Sequence, residues 1–216
     1  MKLTKENIKI WLVQNFKWII LFICTIVFLA ILENAWGQEI MREDIIGYNL
    51  ISRFLISDTI TPIAKVITNM GSAFFLITVS AILLVTIKNK KIGISITLNL
   101  ITIAGLNLLL KNIVQRPRPT DFRLIDESGY SFPSGHSMVS MAFYGFLIYL
   151  AYKYIKNNKL KMLLSIVLGL IPLLIGISRI YLGVHYTSDV IGGFMVSISY
   201  LIIYTRIVKK FIIEEQ

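Results

Sequence analysis

Residues 178–189 read SRIYLGVHYTSD, a polar interval between two long apolar runs. Arg179, His185 and Asp189 place a cation, an imidazole and a carboxylate at the edge of apolar segments, where charges are costly and ask for a reason. An imidazole titrates near neutrality, which suits it to act as a nucleophile or proton carrier. Asp189 follows His185 by four residues, so on a helix the two share a face and the carboxylate can hold the ring. A blander reading is also open: Arg179 snorkels at a helix end and His185 is an ordinary interfacial histidine. The rest of the chain has to decide between them.

Composition sets the class. Of the 216 residues, 56% are hydrophobic and only 16% charged, with a mean hydropathy of +0.72. Soluble domains carry roughly 45–50% apolar and about 25% charged residues, so an integral membrane protein is expected. The net charge of +10 comes from short groups of Lys and Arg between apolar runs. That is the pattern of membrane-protein loops; the basic module needed for nucleic-acid binding is missing. Cys24 is the single cysteine and His136 and His185 the two histidines. No internal disulfide and no zinc ligand set of ordinary spacing can be drawn from these.

In chain order the expectation is an all-α, polytopic protein of six transmembrane helices forming one domain over residues 1–216. A basic N-terminal flank precedes an apolar run from Trp18 to about Trp36, read as an uncleaved first span with tryptophans at both interfaces. Residues 44–58 carry Ile45, Ile46, Leu50, Ile51, Phe54 and Leu55 at helical spacing, which predicts a short amphipathic helix on the membrane surface. It is either a wall beside a lipid entrance or a connector. Pro62 suits the first turn of a second span reaching about Ile87. The third runs from Ile92 to Val114, with Asn99 and Asn107 expected to bond between helices. Pro117 and Pro119 end that helix, and the polar loop 115–133 follows. The remaining spans are Ser134–Tyr152, Met162–Ile177 and Asp189–Tyr204, each near the ~20 residues that cross about 30 Å of hydrocarbon.

Loop charge predicts orientation. With both termini inside, fourteen of the 22 Lys and Arg fall on the cytoplasmic side, and nine of the 12 acids fall outside. The positive-inside rule therefore puts residues 115–133 and 178–189 together on the external face. Three pieces meet there: Lys111 with Arg118-Pro119, then Pro133-Ser134-Gly135-His136, then Ser178-Arg179 with His185 and Asp189. Two guanidiniums and an ammonium suit a phosphate, the guanidiniums by bidentate geometry. A Ser-Gly turn at a helix start adds backbone donors for an anion. Arg116, Asp121, Arg123, Asp126 and Glu127 lie nearby, outside the three pieces; they either tune headgroup choice or solvate the loop, and loop solvation is the favoured reading.

These pieces, Lys-x6-Arg-Pro, Pro-Ser-Gly-His and Ser-Arg-x5-His-x3-Asp, are complete and in order. The chain resembles the type-2 phosphatidic acid phosphatase (lipid phosphate phosphatase) superfamily, as a bacterial membrane-integrated member. The resemblance implies metal-independent hydrolysis of a lipid phosphate or diphosphate through a phosphohistidine on the extracytoplasmic face of the cell membrane. Undecaprenyl diphosphate, phosphatidylglycerophosphate and phosphatidate are the substrate classes implied. His185 would be the nucleophile, Asp189 its orienting partner and His136 the acid and base. Lys111, Arg118, Arg179, Ser134 and Gly135 would hold the phosphate. No cofactor is implied. A lipid phosphotransferase with the same phosphoenzyme, and a non-enzymatic lipid-phosphate binder or transporter, are the alternatives.

Overall fold

In a span surrounded by lipid every backbone N–H and C=O must be paired internally, so apolar runs of this length become helices. The computed structural model describes residues 5–120 and 122–213, with side chains at 11–120 and 122–210. Among the described residues there are eight helices and no strand: α1 (Lys5–Trp36), α2 (Arg42–Leu55), α3 (Ile60–Asn69), α4 (Ala73–Thr86), α5 (Lys90–Val114), α6 (Gly135–Tyr154), α7 (Asn158–Tyr181) and α8 (Thr187–Ile213). Several start on a side chain that accepts from orphan N–H groups of the first turn. Ser72 accepts from Phe75, Asn89 from Lys91, Ser134 from Ser137, and Asn157 from Lys159 and Leu160.

α6 is the axis of the bundle, packed against α5, α7 and α8, with α1 outside α8, α3 against α7 and α4 against α5. Its core includes Phe143 and Phe146, which meet Leu76, Ile96, Ile175 and Tyr204. Phe146 meets the Tyr204 ring edge-on at 5.2 Å, and the Tyr204 hydroxyl donates to the Ser95 carbonyl, so its polar end is satisfied inside the bundle. The outward surface is apolar instead: Phe74 is 81% exposed, Val85 75% and Phe22 65%. A soluble chain does not present such a surface, and lipid solvates it without cost. The protein is a multi-pass membrane protein.

Three expectations stand differently in the structure. First, four helices are long and apolar enough to cross a membrane, or five if α3 and α4 count as one span bent by 47°, so this count stops short of the six expected. The helix that falls short is α6, whose Ser137, Ser140 and Tyr144 face protein. Hydropathy reports contact with lipid, and α6 has little. Second, the continuous helix expected from Pro62 to Ile87 breaks at Met70–Ser72, where Ser72 caps a new helix. The Tyr144 hydroxyl, on α6, donates to the freed Met70 carbonyl at 2.9 Å. Gly71 allows the close approach, since a β-carbon there would lie 2.9 Å from Ile175 Cγ2 and 3.4 Å from His136 Cδ2. Third, Asn107 bonds between helices as expected, donating to Met138 Sδ of α6 and also to the Pro133 carbonyl before it, but the fully buried Asn99 amide has no protein partner.

α2 is the amphipathic helix expected within residues 44–58. Ile45, Ile46, Leu50 and Phe54 are exposed along it while Asp44 is buried. It lies against α7 and α8. It packs closely there, since a β-carbon on Gly47 would sit 2.1 Å from Thr187 Oγ1.

Candidate active site

Helix starts carry unpaired N–H donors that suit an anion, and the unpaired carbonyls of a helix's last turn favour cationic side chains that can reach the same anion. Four helix ends converge here. α5 ends at Val114 with Lys111 in its last turn, and α7 ends at Tyr181 with Arg179 in its last turn. α6 and α8 begin at Gly135 and Thr187, beside His136 and Asp189. The segment 178–189 is therefore two helix ends joined by a turn at 182–186. Gly183 makes that turn with φ +69°, and a β-carbon there would lie 2.0 Å from the Phe122 carbonyl oxygen. The 115–134 loop ties itself on at this point, Leu124 N–H donating to the Leu182 carbonyl. At its other end the Ser134 N–H donates to the Asp189 carbonyl, joining α6 to α8.

His185 is buried at the centre. Its Nδ1 lies 3.3 Å from Asp189 Oδ2, and its Nε2 lies 2.9 Å from Arg118 Nη1. A guanidinium has only donors. The ring therefore offers a lone pair on Nε2 to Arg118 and carries its proton on Nδ1, toward the carboxylate. Burial first, then the charges of Arg118, Arg179 and Lys111, hold its pKa well below the usual histidine value. The imidazole is neutral near pH 7 and its nitrogen is nucleophilic. Asp189 is fully buried; Oδ2 also accepts from the Ser131 hydroxyl and the Tyr186 N–H, and Oδ1 accepts from Arg116.

The cations surround this pair. Arg118 donates to the carbonyls of Ser128, Gly129 and Val184 as well as to the ring. Arg179 donates Nη1 to Thr68 Oγ1 at 3.0 Å and Nη2 to Glu127, leaving its Nε without a protein partner. Lys111 donates to the Tyr130 and Ser131 carbonyls. Half-buried His136 stands close enough that the charges of Arg179, Glu127, Arg118 and Lys111 all bear on it. Gly135 approaches Asn107, where a β-carbon would lie 3.1 Å from the amide oxygen. The Ser178 hydroxyl turns back on its own helix, to the Ile175 carbonyl. All eight residues singled out from the sequence, Lys111, Arg118, Ser134, Gly135, His136, Arg179, His185 and Asp189, thus come to one place. Among the described residues no three His, Cys, Asp or Glu side chains cluster as metal ligands.

The loop acids and arginines divide. Arg123 and Asp126 are exposed, as loop solvation requires, and Asp121 lies outside the described residues. Arg116 and Glu127 do not fit that reading. Arg116 is 1% exposed and binds Asp44 and Asp189 together. Glu127 bridges Arg179 and Arg118, at 3.9 Å from the latter, and their charges keep its pKa low against the opposing effect of burial. One sign in the sequence favoured Arg116: it and Arg118 each precede a proline, which keeps both in extended backbone leading off α5. No local pattern marks Glu127, Ser131, Asp44 or Thr68, which reach the site by tertiary packing. A cavity of about 410 Å³ opens beside His185, lined by Ile45 and Tyr48 of α2, by Phe122, and by Ile180 and Tyr186 among others.

Comparison with known proteins agrees with this geometry. The PAP2 superfamily matches residues 89–213, which hold all three motifs. Phosphatidylglycerophosphatase B of Bacillus subtilis (strain 168) is 38% identical over 132 residues, 59% of this chain and 65% of that protein, so the match spans just under two thirds of that relative. An undecaprenyl-diphosphatase of Sulfolobus acidocaldarius is 26% identical over 198 residues, 84% of this chain and 86% of that protein. The crystal structure of the first transmembrane PAP2 type phosphatidylglycerolphosphate phosphatase from Bacillus subtilis is similar with a TM-score of 0.75 at 29% identity, over 87% of this chain and 96% of that one. With the three motifs gathered at one set of helix ends and a family match over more than half its length, this chain belongs to the PAP2 superfamily.

Proposed function

We propose that this chain is a membrane phosphatase that hydrolyses a lipid phosphomonoester or diphosphate through a phosphohistidine. The observation that carries the reading is His185, held between Asp189 on one ring nitrogen and Arg118 on the other. Arg118 leaves the ring for the entering phosphate, and the freed Nε2 lone pair attacks phosphorus in line. The P–O bond to the lipid alcohol, or to the lipid phosphate in a diphosphate, breaks as His136 delivers a proton to the departing oxygen. His136 holds that proton once the substrate's negative charge offsets Arg179, Arg118 and Lys111. Asp189 stabilises the positive charge that the ring acquires. In the second half His136 takes a proton from water, whose oxygen attacks phosphorus. The P–N bond returns its electrons to Nε2 and orthophosphate leaves. Lys111, Arg118 and Arg179, with Ser134 and the Gly135 backbone, hold the equatorial oxygens throughout.

The mostly apolar cavity beside His185 supports a lipid over a sugar phosphate. The named activities of the relatives support phosphatidylglycerophosphate and undecaprenyl diphosphate as the classes to test first. The topology that accompanies this reading has six crossings, with α3–α4 as one and α6 shielded at the centre. Both termini are in the cytoplasm and the site is on the outer face of the cell membrane.

Phosphate release in detergent from phosphatidylglycerophosphate, undecaprenyl diphosphate and phosphatidate, with chelator present, tests the chemistry. Activity is expected to survive chelation and to fall by at least about 10²-fold in His136→Ala, the scale of losing a general acid, and further in His185→Ala. Full release by His185→Ala would remove the nucleophile assignment, and release only on adding a second lipid would make the protein a phosphotransferase. A cysteine at exposed position 126 should be labelled from outside intact cells; protection there would reverse the topology.

A further inference from the structure

A lone buried guanidinium facing two buried carboxylates is an expensive arrangement unless each contact is made, and here each is. Arg116 donates Nη1 to Asp189 Oδ1 at 2.8 Å and to Ser188 Oγ at 2.8 Å. Its Nη2 donates to Asp44 Oδ2 at 2.9 Å and to the Glu39 carbonyl at 2.6 Å. The guanidinium also lies over the Tyr186 ring, 4.2 Å from its centre. Asp44 in turn uses Oδ1 to accept from the Ser188 N–H at 2.8 Å, capping the first turn of α8 one residue before Asp189. Its Oδ2 also accepts from the Met41 N–H, at the start of its own helix. The chain of contacts runs from α2 through Arg116 to the carboxylate on the His185 ring.

Resting on the phosphatase reading, we infer that Arg116 and Asp44 are positioning residues for the His185–Asp189 pair, and that α2 is thereby a working part of the site. Arg116 occupies Oδ1 of Asp189, which leaves Oδ2 turned to the imidazole. Without it Oδ1 loses its charged partner, and only the Ser131 hydroxyl and the Tyr186 N–H, both on Oδ2, still hold the carboxylate against rotation about its soft terminal torsion, so its aim at the ring loosens. Asp44 keeps Arg116 in place from the other side and, through Ser188, fixes the start of α8. Neither side chain touches the reacting atoms. Their effect is on alignment, and so on turnover more than on binding.

The test is kcat and KM on phosphatidylglycerophosphate in detergent for Arg116→Gln, Arg116→Lys, Asp44→Asn and, as a control on the exposed side of the same turn, Glu43→Gln. Misplacing a reacting group by about 1 Å costs on the order of 10²-fold, so Arg116→Gln should lose about 10²-fold in kcat with KM changed less than threefold. Arg116→Lys should recover part of that loss, Asp44→Asn should lose about tenfold, and Glu43→Gln should match the wild type. Because Arg116→Gln could fold poorly, a double-mutant cycle of Asp44→Asn with Arg116→Lys, read on both kcat and thermal midpoint, keeps the question open to disproof. Losses in the cycle that are less than additive support the pairing. Folded Arg116→Gln and Asp44→Asn with kcat within twofold of wild type, or strictly additive losses, would overturn it. A wild type that releases no phosphate from any lipid would instead overturn the phosphatase reading itself.

Discussion

Replacing Arg118 by lysine keeps the charge and removes the fork, which separates two things arginine does here. Arg118 reaches three carbonyls at 2.9–3.0 Å and the His185 ring at 2.9 Å at the same time. An ammonium on a flexible stem cannot keep the planar, two-armed approach that presents parallel donors to a phosphate. Losing one preorganised donor to a developing oxyanion costs about 10²–10³ in rate, and at about 1.36 kcal/mol per decade the lower figure is ~2.7 kcal/mol. Arg118→Lys should therefore lower kcat/KM on phosphatidylglycerophosphate about 10²-fold. Its acid limb should stay where the wild type has it, because the positive charge beside His185 is retained. Arg118→Gln should lose more and also shift that limb. Burial is the largest cause of the low His185 pKa and Arg118 the second. Removing the cation makes the imidazolium easier to form, so the pKa rises and activity is lost at a higher pH than in the wild type. Burial remains, so the limb stops short of the ordinary histidine value near 6.5. Phosphate release measured from pH 4.5 to 8 reads both effects. Arg118→Lys with a third or more of wild-type kcat/KM, or Arg118→Gln with an unmoved acid limb, would refute the reasoning.

Three further outcomes follow from packing. Gly71→Ala puts a β-carbon 2.9 Å from Ile175 Cγ2 and 3.4 Å from His136 Cδ2; overpacking of this kind costs about 1–3 kcal/mol, so both thermal midpoint and kcat should fall. Gly47→Ala drives into Thr187 Oγ1 at 2.1 Å and should weaken the seat of α2. Adding Thr187→Ala should return part of the stability on a melting curve, because the hydroxyl is the nearest atom. Asn99→Leu replaces a buried amide that has no protein partner with an apolar group of similar shape. Such a change is neutral or stabilising, so the midpoint should hold or rise and kcat should stay within twofold.

What could be read from the chain divides along physical lines. The motif residues were legible because their chemistry is costly in a membrane and their spacing repeats down a helix or across a turn. His185 and Asp189 are four apart and meet locally, His185 lying in the turn just before α8 and Asp189 in its first turn. Lys111 and Arg179 were legible as cations at helix ends. Asp44 was not, because 72 residues separate it from Arg116 and 144 from the Ser188 N–H it caps. A carboxylate in the first turn of an amphipathic helix has a sufficient local explanation in the helix dipole, and that explanation hid its tertiary role. Glu127 is similar: an acid in a polar loop needs no special reason until Arg179 is folded against it. The break at Met70–Ser72 escaped because Gly71 and Ser72 are unremarkable in a membrane helix, and only the approach of Ile175 and Tyr144 gives them a purpose. A count of spans by hydropathy stops short of six for the opposite reason, since it presumes a lipid neighbour and α6 has protein on nearly every side.

That last feature bears on how the chain enters its membrane. On the six-crossing topology, α6 presents the translocation machinery with a segment whose serines bond locally, Ser137 to Ser134 and Ser140 to the Ser137 carbonyl, but whose Tyr144 depends on another part of the bundle. Ser197 of α8 supplies a donor to the Met138 carbonyl, and Tyr144 finds its acceptor at the break between α3 and α4. Synthesis delivers α3, α4 and α5 before α6, and α7 and α8 after it. The residue that would carry the departing oxygen's proton thus sits on a helix that does not by itself meet the length and hydropathy of a span, and on this topology its site needs α8, which brings Asp189, to be complete.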